Sequence, residues 1–467
     1  MGQIETDYLV VGAGTAGMAF ADALHASSDA DIVLVDRRHR PGGHWLDAYP
    51  FVRLHQPSAF YGVNSRVLGD DRIDESGPNA GFYQRATASE ICDYFFQVLE
   101  SLRASGRVRF FPMSDYAGDW SGGHAFTSRL TGETTQVRVR QRIVDATYLE
   151  TSIPKTHARS FRVETGVTCI PINDLVGLSC PASGYTIIGA GKTAMDACNW
   201  LLDNGVTPEA IRWIRPRDAW LLDREFSQPL EKVASLMEGI SLNLEAVALA
   251  DDMGDLFRRL EASGQLVRLD HDVEPTMYRC ATISAAELGA LRRIEHVVRL
   301  GRVLSIDAER IVLEHGEVPT EARQVHVDCT AEGLATPSDR PMFESSRITV
   351  QAMRTCQPSF NSALVGFIES LAIDDEQKNH LCPPNRYPTT ANDWLHGFSV
   401  NGRAQARWNK FTEVAAWIKE SRLNGARGIE EHLDQPMMQS AMNRYLENAD
   451  PARANATRLL VESRKAE

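Results

Sequence analysis

None of the eight cysteines pairs with another at C-x-x-C spacing. That absence removes zinc-ribbon and thioredoxin-like readings, and with them the flavoenzymes that work through a closely spaced cysteine pair. Cys92, Cys169, Cys180, Cys198, Cys280, Cys329, Cys356 and Cys382 are scattered, as buried thiols of a reducing compartment are, so a cytoplasmic setting is expected. Long hydrophobic runs are missing too. No stretch approaches the roughly 20 apolar residues of a membrane span, and the apolar part of the opening MGQIETDYLVVGAG is too short for a signal peptide. Basic charge is scarce: 62 Asp and Glu oppose 49 Lys and Arg, a formal net charge of −13. Such a balance leaves no broad cationic face for nucleic acid. The chain lacks low-complexity linkers and short-period repeats, and no metal site is expected.

What the chain does contain is 467 residues of ordinary globular composition, 43% hydrophobic and 24% charged, enough for two or three packed units. The clearest local pattern lies in residues 7–36, where an apolar strand (Tyr8 to Val11), a glycine turn, a helix and a second strand (Ile32 to Val35) make a βαβ unit. The turn reads Gly12-Ala13-Gly14-Thr15-Ala16-Gly17. Its first glycine permits the tight turn, its second lets backbone approach a pyrophosphate, and its third lets helix and strand pack closely. The helix N-terminus that follows favours an anion through its unpaired N–H groups and dipole. Asp36 ends the second strand, 24 residues after Gly12, where a carboxylate accepts the hydroxyls of an adenosine ribose.

The same order recurs at 185–215, with Tyr185 to Ile188, then Gly189-Ala190-Gly191-Lys192-Thr193-Ala194, a helix to Leu202 and a strand Ile211 to Ile214. Ala194 stands in the third glycine place. At the tip of the second strand, 26 residues after Gly189, Arg215-Pro216-Arg217 replaces the acid of an NAD site. Arginine there pairs with a 2′-phosphate, so Arg215 and Arg217 point to NADPH. Between the two units an amphipathic helix is expected within 84–105, and bulky aromatics at helical spacing mark the last ~110 residues as a helical cap.

Directly after the ribose acid comes Asp36-Arg37-Arg38-His39-Arg40-Pro41-Gly42-Gly43-His44-Trp45. This element resembles the acid-then-GGxW segment of class B flavin monooxygenases, within the wider two-dinucleotide-binding-domain flavoproteins. Arg53-Leu54-His55-Gln56-Pro57-Ser58 resembles the L-H-x-P segment of the plant-type members, and the second glycine turn resembles their NADPH turn. The similarity spans both nucleotide units. It implies an α/β fold of two Rossmann-like domains with a helical C-terminal cap. The expected boundaries are 1–165 for the first part of an FAD domain, 181–325 for an NAD(P)H domain, 326–350 for a return to the FAD domain and 351–467 for the cap.

The resemblance further implies FAD held by Gly12, Gly14, Thr15, Ala16, Gly17, Asp36, Arg37, Gly43, His44 and Trp45, and NADPH held by Gly189, Gly191, Lys192, Thr193, Ala194, Arg215 and Arg217. In that family NADPH reduces FAD, dioxygen adds at the flavin C4a atom, and the hydroperoxide delivers oxygen to a small organic substrate. His55 and Gln56 would lie near the flavin ring, His55 as proton donor or orienting group. A homodimer is compatible with this reading. The family's F-x-G-x-x-x-H signature is absent: Phe161 is followed by Val163 and Val167 where glycine and histidine belong, with Pro171 where the aromatic belongs. The two later flavoprotein elements have become Ala146-Thr147-Tyr148 and Cys329-Thr330-Ala331-Glu332-Gly333. Two alternatives therefore stand beside the monooxygenase: a flavin reductase or dehydrogenase without oxygen insertion, and a non-catalytic dinucleotide sensor.

Overall fold

A computed structural model describes residues 2–120, 122–149, 151–321, 323–331, 333–334 and 340–466. Glu332, named above, lies outside the described residues. The first unit is built on strands β1 (Gly2–Val11), β2 (Ile32–Val35), β3 (Val108–Phe111), β4 (Ser114–Tyr116), β5 (His124–Ser128) and β6 (Thr134–Asp145), ordered β3-β2-β1-β6-β5-β4. β1, β2 and β3 run parallel, and β1 also pairs β6 in parallel. Ile32 to Val35 are buried throughout, the continuous apolar run of a strand covered on both faces. Helix α1 (Thr15–Ser27) connects β1 to β2. Helix α2 (Ala88–Ala104) fills the expected amphipathic segment, and its start is set by a capping box between Thr87 and Glu90.

A second parallel sheet has the order Val297–Val298, Ile211–Ile214, Gly184–Ile188, Gln324–Asp328, Cys169–Pro171. Helix α3 (Lys192–Asp203) follows its central strand as α1 follows β1. Because Gln324–Asp328 completes this sheet, the expected boundary at 326 falls within a strand. The chain then returns to the first sheet through Arg347–Thr349, which pairs with β6.

The cap differs from expectation in make-up. Between the strands of the second unit the chain inserts a small sheet (Ala219–Asp223, Leu266–Val267, Met277–Ile283) with helices α4 (Val233–Leu249) and α5 (Met253–Ala262), before α6 (Ala285–Arg292). This insertion shares a core with helices α9 (Ala391–Trp408) and α11 (Pro436–Ala466), through Trp220, Phe257, Leu395, Ala452 and Leu459. Helix α7 (Pro358–Ser370) instead completes the first unit, lying so close to α1 that a Cβ on Gly366 would stand 2.4 Å from the Phe20 carbonyl oxygen. Helices α8 (Asp375–Leu381) and α10 (Thr412–Glu420) follow it there, and Trp408 is buried in the same core. The basic tail after Asp450 is helical to Ala466, held by Ala452, Ala456 and Leu459, which bury in the core that the cap shares with the insertion. Among the described residues no helix is long and apolar enough to cross a membrane.

Candidate functional site

Both glycine turns open onto one cavity of about 1020 Å³ between the two units and the cap. In the first turn Gly12 has φ +98°, and a Cβ on Gly17 would fall 1.8 Å from the Gly12 carbonyl oxygen. Gly17 is therefore a packing glycine; Gly12, Gly14, Thr15 and Ala16 are the members that line the cavity. α1 starts after Gly14 without a side-chain cap, which leaves its first-turn donors for whatever occupies the cavity. Asp36 is buried at the rim and accepts from the N–H groups of Ala13 (2.6 Å) and Arg38 (2.8 Å). A carboxylate has about four acceptor positions, so the remainder can take ribose hydroxyls. Arg37 lines the same end.

The Gly42-Gly43 turn docks on the first glycine turn. Gly42 N–H donates to the Ala13 carbonyl at 3.0 Å, and a Cβ on Gly43 would stand 2.8 Å from the Gly14 Cα. His44 and Trp45 then face the cavity. Trp45 Nε1 donates to the Tyr61 hydroxyl at 2.7 Å, and that hydroxyl also bonds Thr15, so Tyr61 locks the tryptophan to the first glycine turn. Nothing local in the sequence marks Tyr61.

The second turn repeats the arrangement. Gly189 has φ +130°, and a Cβ there would meet the Cys329 carbonyl oxygen at 2.7 Å, whereas the space before Gly191 is open. α3 again begins without a side-chain cap. Gly189, Gly191, Lys192 and Thr193 line the cavity, while Ala194 is fully buried and packs, as Gly17 does. Lys192 pairs with Asp196, which also accepts the Tyr49 hydroxyl at 2.6 Å. Phe51 stacks on Trp200 at 4.8 Å. These contacts from residues 49–51 to α3 hold the two turns at a common cleft. Each turn is closed by the same device: Thr147 bonds back to Asp145, and Thr330 to Asp328, through both N–H and hydroxyl.

Arg215 is not where the phosphate argument needs it. Its guanidinium is buried, pairs with Asp218 at 3.3 Å and stacks over Trp213 at 4.8 Å, and it does not line the cavity. Trp213 and Arg215 are two residues apart on an extended segment and so share a face, which draws the arginine inward. Arg217 is exposed, lines the cavity and meets no carboxylate among the described residues; Arg302, which sequence reasoning missed, lines the same region.

His55 and Gln56 both line the cavity. Gln56 Nε2 donates to the Cys356 carbonyl at 2.5 Å, and the His55 carbonyl accepts from Thr282 Oγ1 at 2.6 Å. Burial, reinforced by the nearby Lys192 charge, pushes the His55 imidazole down to about 3. His55 is therefore neutral near pH 7, which removes the imidazolium proton donor and leaves an orienting N–H. Any turnover at this cavity should accordingly show no inflection that depends on His55 between about pH 5 and 8. Profiles of native protein and His55→Gln that differ in shape across that range would contradict this.

Sequence reasoning also missed a cysteine pair. Cys280 and Cys356 are disulfide-bonded across 76 residues, and both line the cavity. Only tertiary structure brings them together, so no spacing rule could find them.

The comparisons agree with this architecture. Residues 10–59 match a family described as an NAD(P)-binding Rossmann-like domain. Uncharacterized protein Rv2000 of Mycobacterium tuberculosis is 45% identical over 423 residues, covering 90% of this chain and 78% of that protein. Uncharacterized protein Mb2023 of Mycobacterium bovis matches over the same extent, at 45% identity across 90% of this chain and 78% of its own length. Among solved structures, the polycyclic ketone monooxygenase of Thermothelomyces thermophila superposes with a TM-score of 0.54 at 12% identity, covering 96% of this chain and 90% of that one. The chain thus has the fold of the two-dinucleotide-binding-domain flavoproteins.

Proposed function

We propose that this chain, which belongs to the family of the mycobacterial proteins Rv2000 and Mb2023, is an FAD-dependent, NADPH-oxidising monooxygenase that puts one oxygen atom from dioxygen into a small organic substrate. The observation that carries the reading is the convergence of two uncapped helix N-termini, each following a parallel strand of a different sheet, on one cavity. The cavity also fits its cofactors by what it leaves unsatisfied. Among the described residues the Tyr387 hydroxyl and His157 Nε2 are buried on its wall without hydrogen-bond partners, and open space faces Gly191. Buried polar atoms of this kind are costly unless a bound molecule pairs with them.

On this reading Gly12, Gly14, Thr15, Ala16, Asp36, Arg37, Gly43, His44 and Trp45 hold FAD, and Gly189, Gly191, Lys192, Thr193 and Arg217 hold NADPH. When bound, FAD supplies two-electron transfer from NADPH and the activation of dioxygen. The protein's own residues position and shield. Neutral His55 offers an N–H at the reacting end, Gln56 is held by its bond to the Cys356 carbonyl, and Trp220, Leu221 and Met277 of the inserted sheet add apolar wall to the cavity. A reductase or dehydrogenase is the second reading, favoured by Val163 and Val167 in the places of the signature glycine and histidine.

Purified protein should be yellow or take up added FAD, and NADPH should bleach the flavin without oxygen. With a panel of ketones, amines and thioethers, heavy-oxygen label from dioxygen should enter the product. Bleaching followed only by peroxide release with every compound supports the reductase; a colourless chain that refuses FAD overturns both.

Cofactor preference tests the two arginines separately. Arg217→Ala should raise the KM for NADPH about tenfold or more and leave NADH within about twofold, since a charge-assisted pair to the 2′-phosphate is lost. Arg215→Ala should instead lower stability by about 2–4 kcal/mol in thermal unfolding, with the NADPH-to-NADH ratio unchanged. A shift of that ratio in the Arg215 variant alone would restore the original assignment.

A further inference from the structure

We propose that Cys280 and Cys356 are a redox-active pair, reduced through the cofactors of this cavity and reoxidised by small-molecule disulfides, which gives the chain an NAD(P)H-dependent disulfide reductase activity. The proposal rests on the reading that the cavity holds FAD and a nicotinamide dinucleotide.

Four observations carry it. First, the pair is accessible: both cysteines are half-buried and line the cavity, whereas Cys92, Cys198, Cys329 and Cys382 are buried. Exposed disulfides are the labile and catalytic ones. Second, both residues lie in the left-handed region, Cys280 at φ +50° and Cys356 at φ +62°. That conformation is sparsely populated for residues with a Cβ and clusters at functional sites. Third, the pair brackets His55-Gln56. Gln56 bonds the carbonyl of Cys356, and Thr282, two residues beyond Cys280 on the same strand, bonds the carbonyl of His55. Fourth, the bond crosses the cleft, from Met277–Ile283 of the inserted sheet to the turn that precedes α7 of the first unit. It forms part of the cavity wall.

The chemistry balances. Two electrons and two protons, from NAD(P)H by way of the flavin and from solvent, break the Cys280–Cys356 bond and leave two thiols. One thiolate then attacks a sulfur of the small disulfide and expels the first small thiol. The other cysteine resolves the mixed disulfide, expels the second, and restores the protein bond. The net change is the oxidation of one NAD(P)H and the reduction of one disulfide to two thiols.

Counting thiols tests this without reference to turnover. Protein purified without reductant, denatured and alkylated, should carry six labels by intact mass, the eight cysteines less the bonded pair. After anaerobic NADPH on the FAD-loaded chain it should carry eight, and added oxidised glutathione should return it to six. Cys356→Ser should carry seven both before and after NADPH. Eight labels at the outset, or six that persist after NADPH has bleached the flavin, would overturn the proposal. If the flavin binds but NADPH fails to bleach it, the nicotinamide part of the functional reading has failed separately. Light-driven reduction of the flavin then delivers the electrons, and the thiol count still decides. A chain that binds no flavin overturns both.

Discussion

Gly17→Ala is expected to abolish recovery of folded, flavin-binding protein. The added Cβ would lie 1.8 Å from the carbonyl oxygen of Gly12 and 3.0 Å from its carbon, both backbone atoms of the turn that carries the cavity-facing glycines. No side chain can rotate away to make room, so α1 must move off β1 by more than an ångström. α1 is itself held on its outer side by α7 at the Phe20–Gly366 approach. Overpacking of a core side chain costs about 1–3 kcal/mol; a clash between backbones pinned from both sides belongs to the rarer losses of about 4 kcal/mol or more. The second turn supplies the control. Ala194 occupies the matching place and is accommodated there, so Ala194→Gly should cost only about 1 kcal/mol of helix propensity. Thermal unfolding and retained flavin check both variants. A Gly17→Ala protein that melts within a few degrees of the native one and keeps its flavin would show that the turn tolerates what its geometry forbids.

This contrast also shows which parts of the molecule were legible in the sequence. The glycine turns were, because a positive φ at Gly12 or Gly189 and a close approach at Gly17 are local requirements that only glycine meets. Asp36 was legible as well, since the end of β2 must lie beside the turn that follows β1. Arg215 was misjudged because position at a strand tip was used without side-chain alternation, which places it with Trp213. The protonation state of His55 was out of reach for a different reason: burial and the Lys192 charge come from chain far away in sequence. The cap is made from residues on both sides of the second sheet, and the disulfide joins positions 76 apart, so neither has a local signature. Arg215 apart, what escaped the sequence is non-local.

The strongest such non-local feature is a buried carboxylate. Glu287→Ala is expected to destabilise the chain by about 3–5 kcal/mol, because it strands two buried guanidinium groups without a counter-charge. Glu287, at the start of α6, pairs with Arg85 at 3.0 Å and Arg224 at 2.6 Å, and accepts the Ser284 N–H at 3.0 Å. Arg224 is fully buried and also donates to Asn79, while Arg85 donates to the Leu54 carbonyl, one residue before His55. The carboxylate thereby joins the first unit's cavity-lining segment to the inserted sheet and α6. Burial pushes the Glu287 carboxyl up, yet Lys192, Arg224, Arg85 and the Ser284 N–H outweigh it and bring it down to about 2. A folded-state value below the unfolded one near 4.3 means that the unfolded chain binds the proton first on acidification. The stabilisation, about 3 kcal/mol by linkage, is complete above the unfolded value and is lost as pH falls from about 5 towards 2. Glu287→Gln keeps the shape and removes the charge, so its stability should vary less steeply with pH across that window than the native protein's. Denaturant unfolding at a series of acid pH values measures the difference, and parallel curves for the two proteins would rule out Glu287 as its source. Because the network supports His55 from behind, the glutamine variant should also bind FAD while reducing it more slowly, whereas loss of flavin outright would place Glu287 in holding the fold alone.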